Sequence, residues 1–466
     1  MAEHSGADNV HTRRIAEFVS ALDYDCIPAE VRERIKLLIL DSLGCAIYGA
    51  NLEWCRILRS TLEAVDATRT TSVWGTDRRL SSPHAALVNG TQVQGFELDD
   101  VHRHGVLHVG AVTLPALIAV AESHASLTGR EFLTAAVAGY EIGPRVGKCM
   151  GQEHIGQGWH SGATVGIYSA AAGAARGLRL SAEQTVHALG IAGTQSAGLM
   201  AAQYGAMVKR MHAGRASQSG LYGALLASRG FTGIVDVFEA PYGGFCTTFS
   251  RSQDRFDLDQ LSAGLGERFE TMGIALKFYS CVGSNHTTLD AIRAIRRRRP
   301  FTPDDVDRVV VHGSQVTVDH VGWRYRPEGL TAAQLNLPFC VATLLIEGDV
   351  FVDQFGPQAV NDGARIALSR KVEVVHDPAI TALGAGFRHK VRLDVHFRDG
   401  SMETETREAP RGSEQSFASG AEIVEKFRKL TRAVMGEPQQ DALINTVVGL
   451  ERLADAGQLA RLLRVG

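Results

Sequence analysis

The chain has 466 residues, 45% of them hydrophobic, and a formal net charge of −3. That is a packed globular composition, long enough for two or more domains. The balance argues against a nucleic-acid partner, which calls for a basic face. The single dense cationic block, Arg296–Arg299, follows the helical pattern LDAIRAI and precedes Pro300, so it reads as the solvated last turn of a helix. Seven cysteines are scattered without CxxC spacing and are expected to be reduced thiols. No signal-type N-terminus and no uninterrupted span of about 20 apolar residues is found, so a cytoplasmic location without a membrane partner is expected.

From about Asp8 to Phe269 the pattern is helical. Ile27-Pro28 precedes AEVRERIKLLILDSLGCAIYGA, which places Val31, Ile35, Leu38, Ile39 and Leu43 on one stripe. Ser82-Pro83 opens a second helix, and Val112 to Val120 reads as a third. Ser169 to Gly177, SAAAGAARG, is small enough for close helix approach and is expected to be interior or at an interface. Ser181-Ala182-Glu183-Gln184 has capping-box spacing before another helix. Near Thr271 the character changes. Asp307 to His312 and Arg370 to Val375 are β-branched runs, and HKVRLDVHF alternates before an Asp399-Gly400 turn into METETRE, which predicts a hairpin. Thr331 to Gly348 and Val360 to Ser369 read as helices between these strands, and Ser419 to Leu463 returns to helix. The expected fold class is therefore mainly α. Both chain ends, 1–270 and 409–466, form a large helical domain, into which 271–408 is inserted as a smaller α+β lid domain.

The densest chemistry lies on the connection between the second and third helices, where Asp99, Asp100, His102, His104 and His108 fall within ten residues. Carboxylates beside imidazoles suit proton transfer at neutral pH. The same residue types suit a metal, but no HExxH motif or cysteine cluster completes a ligand set, so no metal is expected. Three further groups stand out. His160 and Ser161 precede an Ala-rich helix, where an anion also meets free backbone N–H groups. Lys209, Arg210, His212 and Arg215 lie among small residues, as a pocket for an acidic substrate requires, although a solvated basic helix face reads the same way. Lys277, Tyr279 and His286 stand at the entry to the α+β segment, placed to close over a bound anion, with Cys281 read as a packing thiol. No GxGxxG follows a strand and no P-loop or GxSxG elbow is present, which argues against nucleotide cofactors and serine hydrolysis.

At these residues the chain resembles the MmgE/PrpD family of 2-methylcitrate dehydratases, cis-aconitate decarboxylases and iminodisuccinate epimerases. The resemblance rests on NG at Asn89, ELDD, the HxGAxxLPAL pattern at His108, WHSGATVGIYSAAAGAARGL, VKRMHAGRASQSGLYGALLASRGFTG, KFYSC with His286, and LNLPFCVATLLIEGD. It implies a homodimer, no metal or organic cofactor, and a polycarboxylate substrate bound between the domains. Carried over residue by residue, it places Asp99 or Asp100, His108, His160, Lys209 and Lys277 in the pocket, with Tyr279, His212 and His286 as weaker transfers. His108, oriented by Asp99 or Asp100, is the expected base. His160 or Tyr279 returns the proton, and Arg210, His212, His286 and His102 help bind substrate. Two departures steer the expected reaction. Dehydratases of the family show HPSDN where this chain has His108-Val109-Gly110-Ala111, and the tyrosine of the decarboxylase pocket corresponds to Phe339. Both favour epimerisation of an amino dicarboxylate such as iminodisuccinate, with decarboxylation or dehydration as the alternative. A metal-dependent hydrolase built on Asp99, His102, His104 and His108, or a non-catalytic helical scaffold, remain the readings from other classes.

Overall fold

The computed structural model describes residues 10–151, 153–203 and 206–465. Asp8, where the helical signal begins, and Gly205, at the head of the basic segment, lie outside the described residues. The chain divides into two units. One comprises the described residues up to Gly95, then Asp99–Ala275 and everything from Ser419 onward; the other comprises Phe96–Leu98 and Leu276–Ala418.

In the first unit the interior is built from helices that carry almost no polar surface. Every residue from Val109 to Ala121 of the helix Val109–Ser123 is buried, and in the helix Gly166–Gly177 only Arg176 escapes. A helix that is apolar or small all round belongs inside. Small residues set how closely these helices approach. A Cβ at Gly90 would lie 2.7 Å from the Cα of Gly214, and one at Gly214 would lie 2.0 Å from the Leu87 carbonyl oxygen, so the helices Ser82–Val93 and Val208–Ser228 cross backbone to backbone. Asn89, next to Gly90, accepts from the Trp74 N–H at 3.0 Å and donates to the Ser72 carbonyl at 3.0 Å. The NG pair thus fixes the helix that leads into the acid- and histidine-rich segment relative to the helix that carries Lys209 and His212.

The C-terminal helix Gly420–Thr431 packs on Ala29–Gly49 across a buried ion pair, Lys426 Nζ to Asp41 Oδ1 at 2.6 Å. Helix starts follow the sequence signals: Ser181 and Gln184 form the capping box of Ala182–Gly193, and Pro83 stands in the first turn of Ser82–Val93. The first unit also holds two short strand pairs that the sequence did not announce, Thr71–Ser72 with Arg79–Leu80 and Val101–His102 with Ile274–Ala275. Two-residue strands carry no periodicity to detect.

The second unit contains a four-stranded sheet in the order Val372–His376, Val306–Gly313, Val391–Phe397, Met402–Arg407; the first pair is parallel and the others antiparallel. Val391, Leu393, Val395 and Phe397 are all buried, as their alternation predicts, and Gly400 turns the hairpin at φ 86°. Two expected helices are each divided. Asn336 ends Leu330–Leu335 and caps Leu337–Glu347 by accepting from the Phe339 N–H, and Asp362 starts Gly363–Ser369 after the short helix Pro357–Val360. The arginine run ends the helix Gly283–Arg298 as expected, with Arg297 and Arg298 exposed, and its side chains also find partners. Arg296 donates to the carbonyls of Leu344 and Leu345, Arg298 pairs with Glu403 at 2.9 Å and with Glu405, and Arg299 pairs with Asp399 at 2.9 Å.

Breaking a buried ion pair by removing one partner strands the other charge, at a cost of about 3–5 kcal/mol. Lys426→Met is therefore expected to lower the Tm strongly, and Asp41→Asn added to it is expected to recover most of the loss, read by thermal unfolding of the three proteins.

Candidate functional site

The helix Ser82–Val93 ends at Gln94, and the chain then passes through two backbone conformations that side-chain-bearing residues seldom adopt: Glu97 at φ 57° and Val106 at φ 49°. Such positions persist where the surroundings over-determine them, commonly at functional sites. Between them the backbone of His102 exchanges two hydrogen bonds with Leu107, at 2.8 and 3.2 Å, closing a tight loop. The His102 ring is used up inside this loop. Its Nδ1 accepts from the Gly105 N–H at 2.9 Å, which puts the ring proton on Nε2, 3.1 Å from Glu270. That pairing, together with Lys148, holds the Glu270 carboxyl down at about 2. His102 thus braces the loop, and nothing in this geometry turns it toward a substrate.

Asp99 and Asp100, adjacent and both fully buried, do different work. Asp99 Oδ2 lies 2.9 Å from His108 Nδ1. Asp100 accepts the Gly110 N–H on both oxygens, at 2.9 and 3.1 Å, and the Tyr140 hydroxyl at 3.1 Å. The histidine partner is therefore Asp99, while Asp100 anchors the first turn of Val109–Ser123, the helix that His108 caps. Burial, and after it the charge of Asp99, pushes the Asp100 carboxyl up to about 8, so it carries its proton at neutral pH. Gly110 admits no side chain: a Cβ would stand 2.1 Å from Ser42 Oγ and 2.8 Å from the Tyr140 hydroxyl. A carboxylate 2.9 Å from Nδ1 favours the tautomer with its proton there, which leaves Nε2 of His108 to exchange a proton with a ligand.

The second cluster lies on the same unit. Ser161, which follows His160, donates to the carbonyl of the strained Val106 and so ties the two clusters together. His160 Nδ1 and His212 Nδ1 are 3.1 Å apart. One must donate and the other accept, so two neutral rings hold opposite tautomers. Burial, and then the neighbouring Lys209, lowers the His212 pKa and favours its neutral form. Arg210, on the next turn face, exerts its charge on the Cys55 thiol, and Arg215 donates to Gln218 at 2.5 Å. Within the basic segment, His212 pairs with His160, and Lys209 bears on His212.

In the second unit Lys277 Nζ pairs with Glu97 at 3.0 Å, both side chains buried. The sequence analysis quoted Glu97 within ELDD and gave it no role; its left-handed backbone and its lysine partner become visible only in three dimensions. Tyr279 donates its hydroxyl to Asp290 at 2.6 Å, and burial beside that carboxylate raises its pKa well above the ordinary value, which makes it a poor source of the second proton that epimerisation needs. His286 Nε2 bonds the Cys281 carbonyl at 3.1 Å, and burial raises the Cys281 thiol far from nucleophilic range. Phe339 packs on Tyr325 with ring centroids 4.3 Å apart, and the Tyr325 hydroxyl donates to the Val360 carbonyl. Among the described residues, no three His, Cys, Asp or Glu side chains converge as a metal ion requires.

The helices of the first unit thus hold a buried carboxylate–histidine pair and a two-histidine pair tied to it. Residues 13–257 match the MmgE/PrpD N-terminal domain and residues 279–452 the MmgE/PrpD C-terminal domain. The chain is 36% identical to a cis-aconitate decarboxylase-like protein, oryM, of Aspergillus oryzae, over 97% of each chain. It is 33% identical to a cis-aconitate decarboxylase of Aspergillus terreus over 98% of this chain and 97% of that one, and 26% identical to the cis-aconitate decarboxylase of Mus musculus over 97% and 93%. The chain belongs to the MmgE/PrpD family.

Asp100 supplies a test of this buried chemistry. A carboxyl that titrates near 4 when unfolded and near 8 when folded keeps, across that window, a proton the unfolded chain has released. Its contribution to stability is complete below about pH 4 and falls as pH rises to about 8. Asparagine has no such proton. The Tm difference between Asp100→Asn and the parent is expected to move in the variant's favour from pH 5 to pH 8 and then level off; a difference independent of pH would contradict the assignment.

Proposed function

We propose that the protein is a lyase that decarboxylates cis-aconitate or a closely related unsaturated polycarboxylate. The observation that carries this reading is the near full-length likeness to proteins named cis-aconitate decarboxylase, at 36% and 33% identity. It replaces epimerisation as the leading reading and is the alternative the sequence had left open. The chemistry points the same way. Epimerisation needs two acid–base groups on opposite faces of one carbon; of the two candidates for the second, Tyr279 has its proton committed to Asp290, and His160 Nδ1 is paired with His212. Decarboxylation of a substrate whose departing carboxylate is one carbon removed from a C=C needs one proton. The C–C bond breaks, CO₂ leaves, its electron pair forms a new double bond, and the former alkene carbon accepts a proton.

In this reading His108 delivers that proton from Nε2, and Asp99 holds the ring in the tautomer and orientation the transfer requires. Lys209, beside His212, attracts substrate carboxylates, and the His160–His212 pair supplies a polar surface whose two rings share one proton between their Nδ1 atoms. The expected homodimer is part of the same proposal. Tyr222, Leu226 and Phe231 are large apolar side chains left exposed on and just after Val208–Ser228, and light scattering at twice the mass of one chain supports it, whereas the mass of one chain removes it.

Incubation with cis-aconitate in D₂O is the direct test. Release of CO₂ with one deuterium in the methylene diacid that remains is the expected result; exchange into iminodisuccinate without CO₂ would return the assignment to an epimerase. His108→Gln is expected to lower kcat by roughly 10²–10⁴-fold with the Tm little changed. Asp99→Asn is expected to lower it by about 10²-fold or more, because the ring loses the partner that sets its tautomer.

A further inference from the structure

Gln94 is the residue on which the helix Ser82–Val93 ends, and it is 1% exposed. Neither end of its amide has a hydrogen-bond partner among the described residues. Buried polar groups in folded proteins are nearly always satisfied, and an orphaned one costs free energy comparable to a lost hydrogen bond. Gln92, two residues earlier and equally buried, illustrates the structural use of the same side chain: its Nε2 donates to the carbonyls of Ala46 and Trp74 at 3.2 and 2.8 Å. Gln94 holds nothing in this way. Its Nε2 lies 3.9 Å from the point where a Cβ on Gly162 would stand, and the Cε1 of His160 lies 3.0 Å from that same point. The amide therefore ends beside the ring that pairs with His212, at a position where glycine leaves out a side chain.

We propose that Gln94 is a substrate-recognition residue, whose amide N–H donates to a carboxylate oxygen of the bound polycarboxylate beside His160. The proposal rests on the polycarboxylate reading above and adds to it a neutral, pre-placed donor. A carboxylate offers only acceptors, so the amide presents Nε2 to it. A hydrogen bond to a charged acceptor is stronger than one between neutral groups, and a donor already stripped of water and fixed by burial loses little on binding.

The test separates recognition from architecture. Gln94→Leu and the volume-conserving Gln94→Met remove the orphaned amide and keep the apolar bulk. In the full-length protein, without ligand, both are expected to leave the Tm equal to or above that of the parent, because no internal bond is lost. On cis-aconitate KM is expected to rise about tenfold or more, with the loss falling on KM rather than kcat, and the Kd for propane-1,2,3-tricarboxylate, by titration calorimetry, to rise in parallel. Gln94→Glu is expected to raise both further through like-charge repulsion. A lowered Tm in both apolar variants, or unchanged KM and Kd, overturns the proposal and makes the amide a structural or water-binding group. If the parent neither turns over cis-aconitate nor binds the tricarboxylate, the polycarboxylate reading falls and this inference with it. A parent that does both, with variants that match it, defeats this inference alone.

Discussion

Two adjacent buried carboxyls, Asp99 and Asp100, govern the geometry of the candidate site, because each is tied to one end of the same short stretch. Asp100 clasps the N–H of Gly110 and fixes where Val109–Ser123 begins; Asp99 grips the ring of His108 at the residue that caps that helix. Two carboxylates side by side in a dry interior repel each other, and the conflict is resolved by leaving Asp100 protonated while Asp99 faces an imidazole. The second carboxyl thus becomes a neutral structural group and the first an orienting one. Behind them Asp41, next in sequence to Ser42, takes the ammonium of Lys426 from the C-terminal helix. That pair also ties the last part of the chain to the helix that lies under the site, so fold closure and site electrostatics share one buried neighbourhood.

The small residues make this arrangement possible. Gly90 and Gly214 allow two helices to meet at backbone distance, and Gly110 leaves the space that Ser42, Tyr140 and Asp100 occupy. A methyl group at any of the three would collide with backbone or with a buried polar atom, so the close approach of the helices Ser82–Val93 and Val208–Ser228, and of Gly110 to Ser42, depends on what glycine omits. The departure from HPSDN at Val109-Gly110 has a structural reason here, since Gly110 serves the Asp100 clasp.

The first unit holds an aspartate–histidine pair and a two-histidine pair, with Lys209 bearing on one of its rings, tied to the same loop. Tyr325 packs on Phe339, but its hydroxyl is spent on the Val360 carbonyl.

The sequence by itself determined the helical first part, the boundaries where capping boxes and prolines mark them, the hairpin around Asp399-Gly400, and the residues among which the chemistry had to lie. These are local signals: periodicity, caps and turn residues act over a few positions and are written in order along the chain. Tertiary structure decided which of those residues meet. It separated Asp99 from Asp100, committed His102 to Glu270 and Tyr279 to Asp290, paired His160 with His212, brought Glu97 against Lys277 and gave the exposed arginine turn its particular partners. Each of those outcomes depends on a partner far away in sequence and on how much water burial removes, and neither distance nor desolvation is encoded in the spacing of residues along a strand of text.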